Sequence, residues 1–131
     1  MSSVSWVATL MLSVDVFEAA AVVERFSEWL RTAAPRREPP NTHGVGFLRQ
    51  LDTAEHGWGG WKSPEARLWG GALNHADLPP VVRRFEQLPW RCPQSTQLMI
   101  MDQEQLSFRV WILRDGKAVQ CVPLPEFGPD D

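Results

Sequence analysis

The chain has 131 residues, of which 13 are lysine or arginine and 16 are aspartate or glutamate, giving a formal net charge of −3. A chain of this length predicts one domain whose core is large enough to fold without disulfide or metal cross-links. The small negative charge argues against a nucleic-acid partner, because binding to phosphates requires a basic surface.

Composition and cysteine usage predict a cytoplasmic location. A hydrophobic content of 44% and a charged content of 22% are typical of soluble globular proteins. The apolar run at 6–12 follows no basic region, which argues against a signal peptide, and it is too short to cross a bilayer. Cys92 and Cys121 are too few for a disulfide framework, so we expect reduced thiols.

The first elements along the chain are a strand and a helix. Short runs of β-branched and aliphatic residues predict a strand at 4–14. Asp15 is predicted to cap the helix that follows, and Glu18 completes a capping box three residues later. Apolar residues at helical spacing extend this helix to about residue 33. Prolines and charged residues then predict an exposed linker at 34–44.

Strand patterns dominate the rest of the chain. A long Trp/Gly loop is predicted at 52–66. Five further strands are predicted, at 45–51, 67–76, 96–102, 107–113 and 117–122.

Proline and glycine mark the breaks between these elements. The proline pair at 79–80 predicts the start of a second helix, which ends at residue 89. The glycine pair at 70–71 suggests a β-bulge, because isolated glycines in strands often accompany one. Asp115-Gly116 predicts a two-residue hairpin turn. An acidic, proline-rich tail at 123–131 is expected to be loosely attached.

The first six predicted elements have the order β-α-β-β-α-β, and a C-terminal hairpin follows them. This is the order of a ferredoxin-like α+β sandwich, in which two helices cover one face of an antiparallel sheet. We therefore predict a single domain of this class over 1–131. The face without helices must then meet water, a ligand or another subunit.

That second face is itself a candidate apolar surface, because the predicted strands carry apolar residues on both sides. An exposed patch of this kind marks an interface. The sequence leaves open which residues point outward and whether the 52–66 loop covers them. Three groups are candidates for the outer face: Val7/Thr9/Met11, Met99/Met101 and Arg109/Trp111/Leu113.

Tryptophan is the most unusual feature of the composition, with seven tryptophans and no tyrosine. Three of the seven, at 58, 61 and 69, lie in a stretch rich in glycine. Large aromatic side chains in such backbone either fill a hydrophobic gap or stack on a partner. In the second case they would act as interface hot spots with arginine at the rim. The candidate binding residues are Trp58, Trp61, Arg67, Trp69 and Trp111.

Candidates for chemistry are few. His75 with Asp77 is an acid–base candidate before the second helix, because imidazole titrates near neutrality. The alternative is that His75 stabilises this strand–helix corner by hydrogen bonds. Cys92 is a nucleophile candidate if Arg91 lowers its thiol pKa and His75 acts as its base. The acidic residues and histidines lack recognised metal-ligand spacing, so we predict no metal and no cofactor.

Without a catalytic constellation, the leading hypothesis is a non-catalytic protein-interaction module of the inhibitor or immunity type. Its partner would be another protein or a second copy of the chain, bound through the aromatic Trp/Gly loop. The alternative is a small-molecule-binding protein or enzyme with a Trp-lined pocket against the open sheet face. In that case His75 and Asp77 would be the acid–base pair, and Arg49 or Arg109 would bind an anionic group.

Overall fold

Among residues 7–52 and 58–121, which the computed structural model describes, six strands form one antiparallel sheet with two helices. The strand order is β2-β3-β1-β4-β5-β6. The helices are α1 (Ala20–Thr32) and α2 (Leu78–Gln87). The strands are β1 (Val7–Asp15), β2 (Arg49–Gln50), β3 (Ala66–Asn74), β4 (Gln97–Asp102), β5 (Ser107–Arg114) and β6 (Lys117–Cys121).

The predicted α+β class, with an antiparallel sheet and two helices, is confirmed. The finer ferredoxin-like arrangement is not, because β5 and β6 lengthen the sheet at one edge and β2 has only two residues. Three predicted features lie outside the described residues: the first part of the first strand at 4–6, the middle of the Trp/Gly loop at 53–57, and the tail at 123–131.

The core lies on one face of the sheet. Alternate residues of the central strand β1 are buried there, as the two-residue period of a strand requires. Phe26 of α1 and Phe85 of α2 meet above them, with ring centroids 6.4 Å apart. The Trp90 ring packs on Phe85 at 5.6 Å, and its indole N–H donates to the Phe85 carbonyl at 2.7 Å. The buried residues of β1 are Ala8, Leu10, Leu12 and Val14.

The predicted cap of α1 is wrong. Asp15 is the last residue of β1, and the helix begins after Ala19, which makes no side-chain capping bond. The Glu18 carboxylate instead accepts hydrogen bonds from the amides of Arg91 and Cys92, both at 2.9 Å. Because these partners are more than 70 residues away in the chain, no local pattern indicates the role of Glu18. The local pattern therefore led to the wrong prediction of a capping box.

The predicted linker between α1 and the next strand is partly paired with the rest of the protein. Arg36 forms an isolated antiparallel bridge with Ala76. The Arg37 amide donates to the His75 carbonyl at 2.7 Å. Arg36 and Arg37 are half-buried as a result, whereas residues 38–41 are exposed.

The strand predicted at 45–51 is much shorter than expected. Ladder pairing with β3 is limited to β2, because preceding residues also bond to α1, although the Val45 carbonyl accepts a hydrogen bond from the Asn74 amide of β3 at 2.8 Å. The Val45 amide donates to the Leu30 carbonyl at 2.8 Å. The Leu48 amide donates to the Ser27 hydroxyl at 2.8 Å. These two bonds hold residues 45–48 against the C-terminal half of α1, and the chain joins the sheet only at β2.

No bulge forms at the glycine pair 70–71, so that prediction is wrong: β3 pairs with β1 in nine consecutive positions. The pair serves a close backbone approach instead. A Cβ atom added at Gly71 would lie well inside van der Waals contact with the Phe47 carbonyl oxygen. Only glycine lets the 45–51 segment come this close to β3.

The predicted hairpin turn at Asp115-Gly116 is confirmed, with positive φ at both residues as such turns require.

We expect Gly71→Ala to lower the free energy of unfolding by about 2 kcal/mol or more, because the added methyl group meets backbone that cannot move aside independently. Urea unfolding followed by circular dichroism measures the effect. Gly59→Ala is the matched control, since a Cβ atom there meets no atom within 4 Å. Equal losses in the two variants would contradict the close-approach explanation.

Candidate functional site

The sheet face without helices, which we call the open face, is apolar. The antiparallel register aligns its side chains in rows that cross the strands. Because alternate residues point to opposite faces, each row contains residues from the face opposite the core. One row contains Ala72, Thr9, Met101 and Phe108, and the next contains Gly70, Met11, Met99 and Val110.

The register decides which candidate groups form the outer face, and the Arg109/Trp111/Leu113 group is not among them. Trp111 pairs with Leu98, whose side chain is in the core, and Trp111 itself is only 7% exposed. Arg109 and Leu113 share its face, two residues away on either side. The β5 residues that point to the open face are Phe108, Val110, Ile112 and Arg114. Trp111 is therefore a core residue, which removes it from the exposed candidates for binding.

A groove of about 520 Å³ lies on the β3 side of the open face. Gly70 and Ala72 lie at its base, and because their side chains are small, the backbone of β3 is not covered by side chains there. Phe47, Arg49 and Leu51 form its wall. The Arg49 guanidinium stacks 5.5 Å from the centre of the Phe47 ring. No acidic side chain of the described residues forms an ion pair with Arg49.

A second cavity, of about 400 Å³, lies on the other side of β1 and shares Thr9 with the groove. Bulky apolar side chains surround it: Met101, Leu106 and Phe108 are 53%, 88% and 56% exposed. The open face therefore has small residues on one side of β1 and large exposed ones on the other. Exposed apolar area of this extent is unusual for a surface that meets only water.

The Trp/Gly loop is held at its base by a buried carboxylate. The Asp52 side chain is 6% exposed, and its oxygens accept hydrogen bonds from the Trp58 indole at 3.0 Å and the Leu68 amide at 3.0 Å. The Gln50 side-chain amide adds a third at 3.3 Å, and the Arg67 guanidinium lies 4.0 Å away. One carboxylate therefore connects residues before, within and after the loop.

These contacts set the protonation of Asp52. Burial by itself would raise the pKa of this carboxyl, because it disfavours the charged form. The hydrogen bonds from Trp58, Leu68 and Gln50 stabilise the charged form and outweigh burial, so the pKa is lower than usual. No local sequence pattern indicates this role of Asp52, since the Trp58 and Leu68 donors are 6 and 16 residues away.

The predicted tryptophan cluster divides into different environments. Trp61 is fully exposed and Trp58 is 38% exposed, although the Trp58 indole N–H is fixed by Asp52. Trp69 is half-buried and packs against the core from β3. Arg67 is 45% exposed beside Asp52. The exposed aromatic surface of the loop therefore consists of Trp58 and Trp61.

The candidates for chemistry are not brought together. His75 follows the β3 residue that pairs with the start of β1, whereas the Cys92 amide bonds Glu18 beyond the other end of β1. A strand of nine residues separates them by roughly 30 Å, so they form no dyad. Asp77 precedes α2 and makes no side-chain capping bond. Neither His75 nor Asp77 lines the two cavities of the open face.

The environment of Cys92 is unsuited to an activated thiolate. Burial raises the pKa of its thiol, and the negative charges of Asp15 and Glu18 raise it further. Arg91 opposes the rise without reversing it. Arg91 thus lowers the pKa as expected, but burial and the two carboxylates outweigh it, so the thiol remains protonated at neutral pH.

In the part of the chain that the structure describes, no three His, Cys, Asp or Glu side chains are grouped so as to hold a metal ion. Over the same residues, no helix has the length and apolar content needed to cross a membrane. The fold and the site thus define an α+β protein with an open apolar sheet face and an exposed aromatic loop. No protein-family model matches the chain, and no curated protein or solved structure matches it either.

We expect Asp52→Asn to lower the free energy of unfolding at neutral pH by about 1–2 kcal/mol, because the amide loses the charge and presents an N–H group to hydrogen-bond donors. The folded-state pKa of Asp52 is below its unfolded value. The stabilisation from the Asp52 charge is therefore fully present above the unfolded-state pKa of about 4. It is lost as the pH falls through the folded-state pKa. The difference between wild type and variant should narrow below about pH 4.

Urea unfolding at a series of pH values measures this difference. Asp77→Asn is the control, because the Asp77 carboxylate makes no capping bond to α2. It should change stability by less than about 0.5 kcal/mol. Equal stability of Asp52→Asn and wild type at neutral pH would contradict the role of Asp52.

Proposed function

We propose that the chain is a non-catalytic protein-interaction module that binds another protein through the loop carrying Trp58 and Trp61. The observation that carries the proposal is the full exposure of Trp61 on a loop whose base is fixed by the buried Asp52 carboxylate. An indole in water gains free energy when a partner covers it, and tryptophan is enriched among residues that dominate binding energy.

The hydrogen bond from Trp58 to Asp52 supports this proposal energetically. Ordering a loop on binding costs conformational entropy that subtracts from affinity. Because the Trp58 ring is already held at 3.0 Å from Asp52, less of that cost remains for the complex. Arg67 lies beside this carboxylate and is 45% exposed, which suits a contact at the rim of an interface.

The separation of the candidate catalytic residues favours binding over catalysis. His75 and Cys92 lie near opposite ends of β1, and the Cys92 thiol has a raised pKa. A protein that acts by binding alone, such as an inhibitor or an immunity-type partner of another protein, needs an exposed aromatic surface of this kind and no reactive group. This is the class of function that we propose.

We also propose that β1 to β4 have a ferredoxin-like arrangement. The order β2-β3-β1-β4 with antiparallel neighbours supports it, as does the packing of Phe26 from α1 against Phe85 from α2 over the same sheet face. The hairpin of β5 and β6 would then be an extension at the β4 edge. A cytoplasmic location is part of the same proposal, supported by the two free thiols of Cys92 and Cys121.

A small-molecule site in the groove at Gly70 and Ala72 is the second candidate. Its volume of about 520 Å³ is within the usual range for ligand sites. Its apolar lining and the Arg49 guanidinium fit a flat apolar molecule that carries a carboxylate. Among the described residues its wall contains Phe47 and no tryptophan, so this ligand class differs from the Trp-lined pocket expected from the sequence.

For the protein partner, immobilised wild-type chain should retain a protein from a lysate of its source cells, and that protein should then be purified. We expect Trp61→Ala to weaken the dissociation constant by about 30-fold or more, the effect of losing a hot-spot side chain. Isothermal titration calorimetry measures it. Phe17→Ala is the matched control, because Phe17 is a 75% exposed aromatic residue outside the loop. Equal affinity of Trp61→Ala and wild type would refute the proposed surface.

For the groove, we expect binding of naphthalene-2-carboxylate and weaker binding of the uncharged naphthalene-2-carboxamide. Arg49→Gln should remove this preference, because the charged donor that pairs with the carboxylate is lost. Calorimetric titration of both compounds into both proteins is the measurement. If wild type binds the two compounds equally or binds neither, Arg49 does not form a carboxylate site.

A further inference from the structure

We propose that the open face is a homodimer interface, in which two copies of the chain pack their open faces together about a two-fold axis that runs along β1. Neither Trp58 nor Trp61 lines the groove or the second cavity of this face, so the inference goes beyond the proposed function. Three properties of the described residues support a second copy as the occupant: the size of the face, its charge, and the position of its large and small side chains.

The face has the size that a dimer needs. Its strands other than β2 have 5 to 9 residues and lie side by side. Each strand residue covers about 3.4 Å by 4.8 Å. With the axis along β1, β6 has no strand opposite it, so β1, β3, β4 and β5 form the covered face, of roughly 500 Å². Accessible area exceeds this projection because side chains protrude, and a standard interface buries about 800 Å² from each partner. A second copy would therefore cover the face at the scale of a stable interface.

Charge also favours self-association. The two rows through Thr9 and Met11 contain no charged side chain between β3 and β5 among the described residues. Charged residues lie at one end of the strands, where Asp15, Arg114 and Lys117 are, and at the β2 edge, where Arg49 is. In a two-fold dimer each patch meets its own copy, so a charged centre would repel itself. An uncharged centre avoids that cost.

The distribution of side-chain size makes the face complementary to itself. In the row through Thr9, Met101 lies one strand to one side and Ala72 one strand to the other. A two-fold axis along β1 exchanges these sides, which places Met101 of one copy over Ala72 of the other. The next row places Met99 over Gly70 in the same way. Packed sheets lie about 10 Å apart, a gap that a methionine opposite a small residue can fill.

Sedimentation velocity of the full chain from about 1 to 100 µM tests the proposal, a range that detects micromolar self-association. We expect wild type to be dimeric at the upper concentrations. Met101→Glu and Ala72→Lys should each weaken the dimer by about 30-fold or more, because each places an unpaired charge in its centre. Both positions are exposed in the single chain, so both variants should keep the wild-type circular dichroism spectrum and melting temperature.

Mixing the two variants tests the position of the axis. In a mixed dimer, Glu at 101 of one chain faces Lys at 72 of the other, and the second contact is the native Met101 with Ala72. We therefore expect dimers in the mixture although each variant alone is monomeric. Phe17→Glu is the control, because it adds a charge at an exposed aromatic residue outside the sheet and should leave the dimer intact.

A monomeric wild type, an unimpaired Met101→Glu dimer or a monomeric mixture would each overturn the proposal. If wild type is monomeric and Ala72→Lys abolishes binding of naphthalene-2-carboxylate, or Met101→Glu abolishes binding of the captured protein, the face belongs to that occupant instead. Failure of the dimer leaves the loop proposal intact, because Trp61→Ala addresses a different surface. Conversely, loss of partner binding in Trp61→Ala with an intact dimer separates the two roles.

Discussion

The close passage of the Phe47 carbonyl over Gly71 is the contact on which the functional surfaces depend. It brings the 45–51 segment against β3 and leaves no room for a side chain between them. That segment supplies the groove wall at Phe47, Arg49 and Leu51, and it leads directly into Asp52. A single backbone approach, possible only at glycine, therefore positions both the groove and the base of the aromatic loop.

Asp52 then uses long-range hydrogen bonds to hold the loop. Its carboxylate is buried, which is unfavourable, but three donors from Gln50, Trp58 and Leu68 compensate for the lost water. The same bonds keep Trp58 oriented while Trp61 remains in solvent. Hydrogen bonds to Asp52 stabilise the base of the loop, and the Trp61 side chain remains exposed. This arrangement is expected where a fixed scaffold presents binding residues.

The two faces of the sheet differ because alternate side chains point in opposite directions. One face of β1 is covered by α1 and α2, and its residues from Ala8 to Val14 are buried at every second position. The other face has equally apolar neighbours but carries no helix from residues 7–52 and 58–121, so Met101 and Phe108 are about half exposed. Burying such a face releases water from apolar surface, which is the physical reason for expecting an occupant there.

The sequence by itself determined what depends on near neighbours. It predicted the α+β class, the helix that begins at the proline pair 79–80, and the Asp115-Gly116 turn, because local backbone preferences decide these features. Only the tertiary structure decided the roles of Asp15, Gly71, Trp111 and Asp52. Asp15 belongs to β1 because it pairs with Ala66 of β3. Trp111 points into the core because it pairs with Leu98, whose side chain lies on the core face of the sheet. The roles of these four residues depend on partners that are distant in the chain, so no local sequence pattern predicts them.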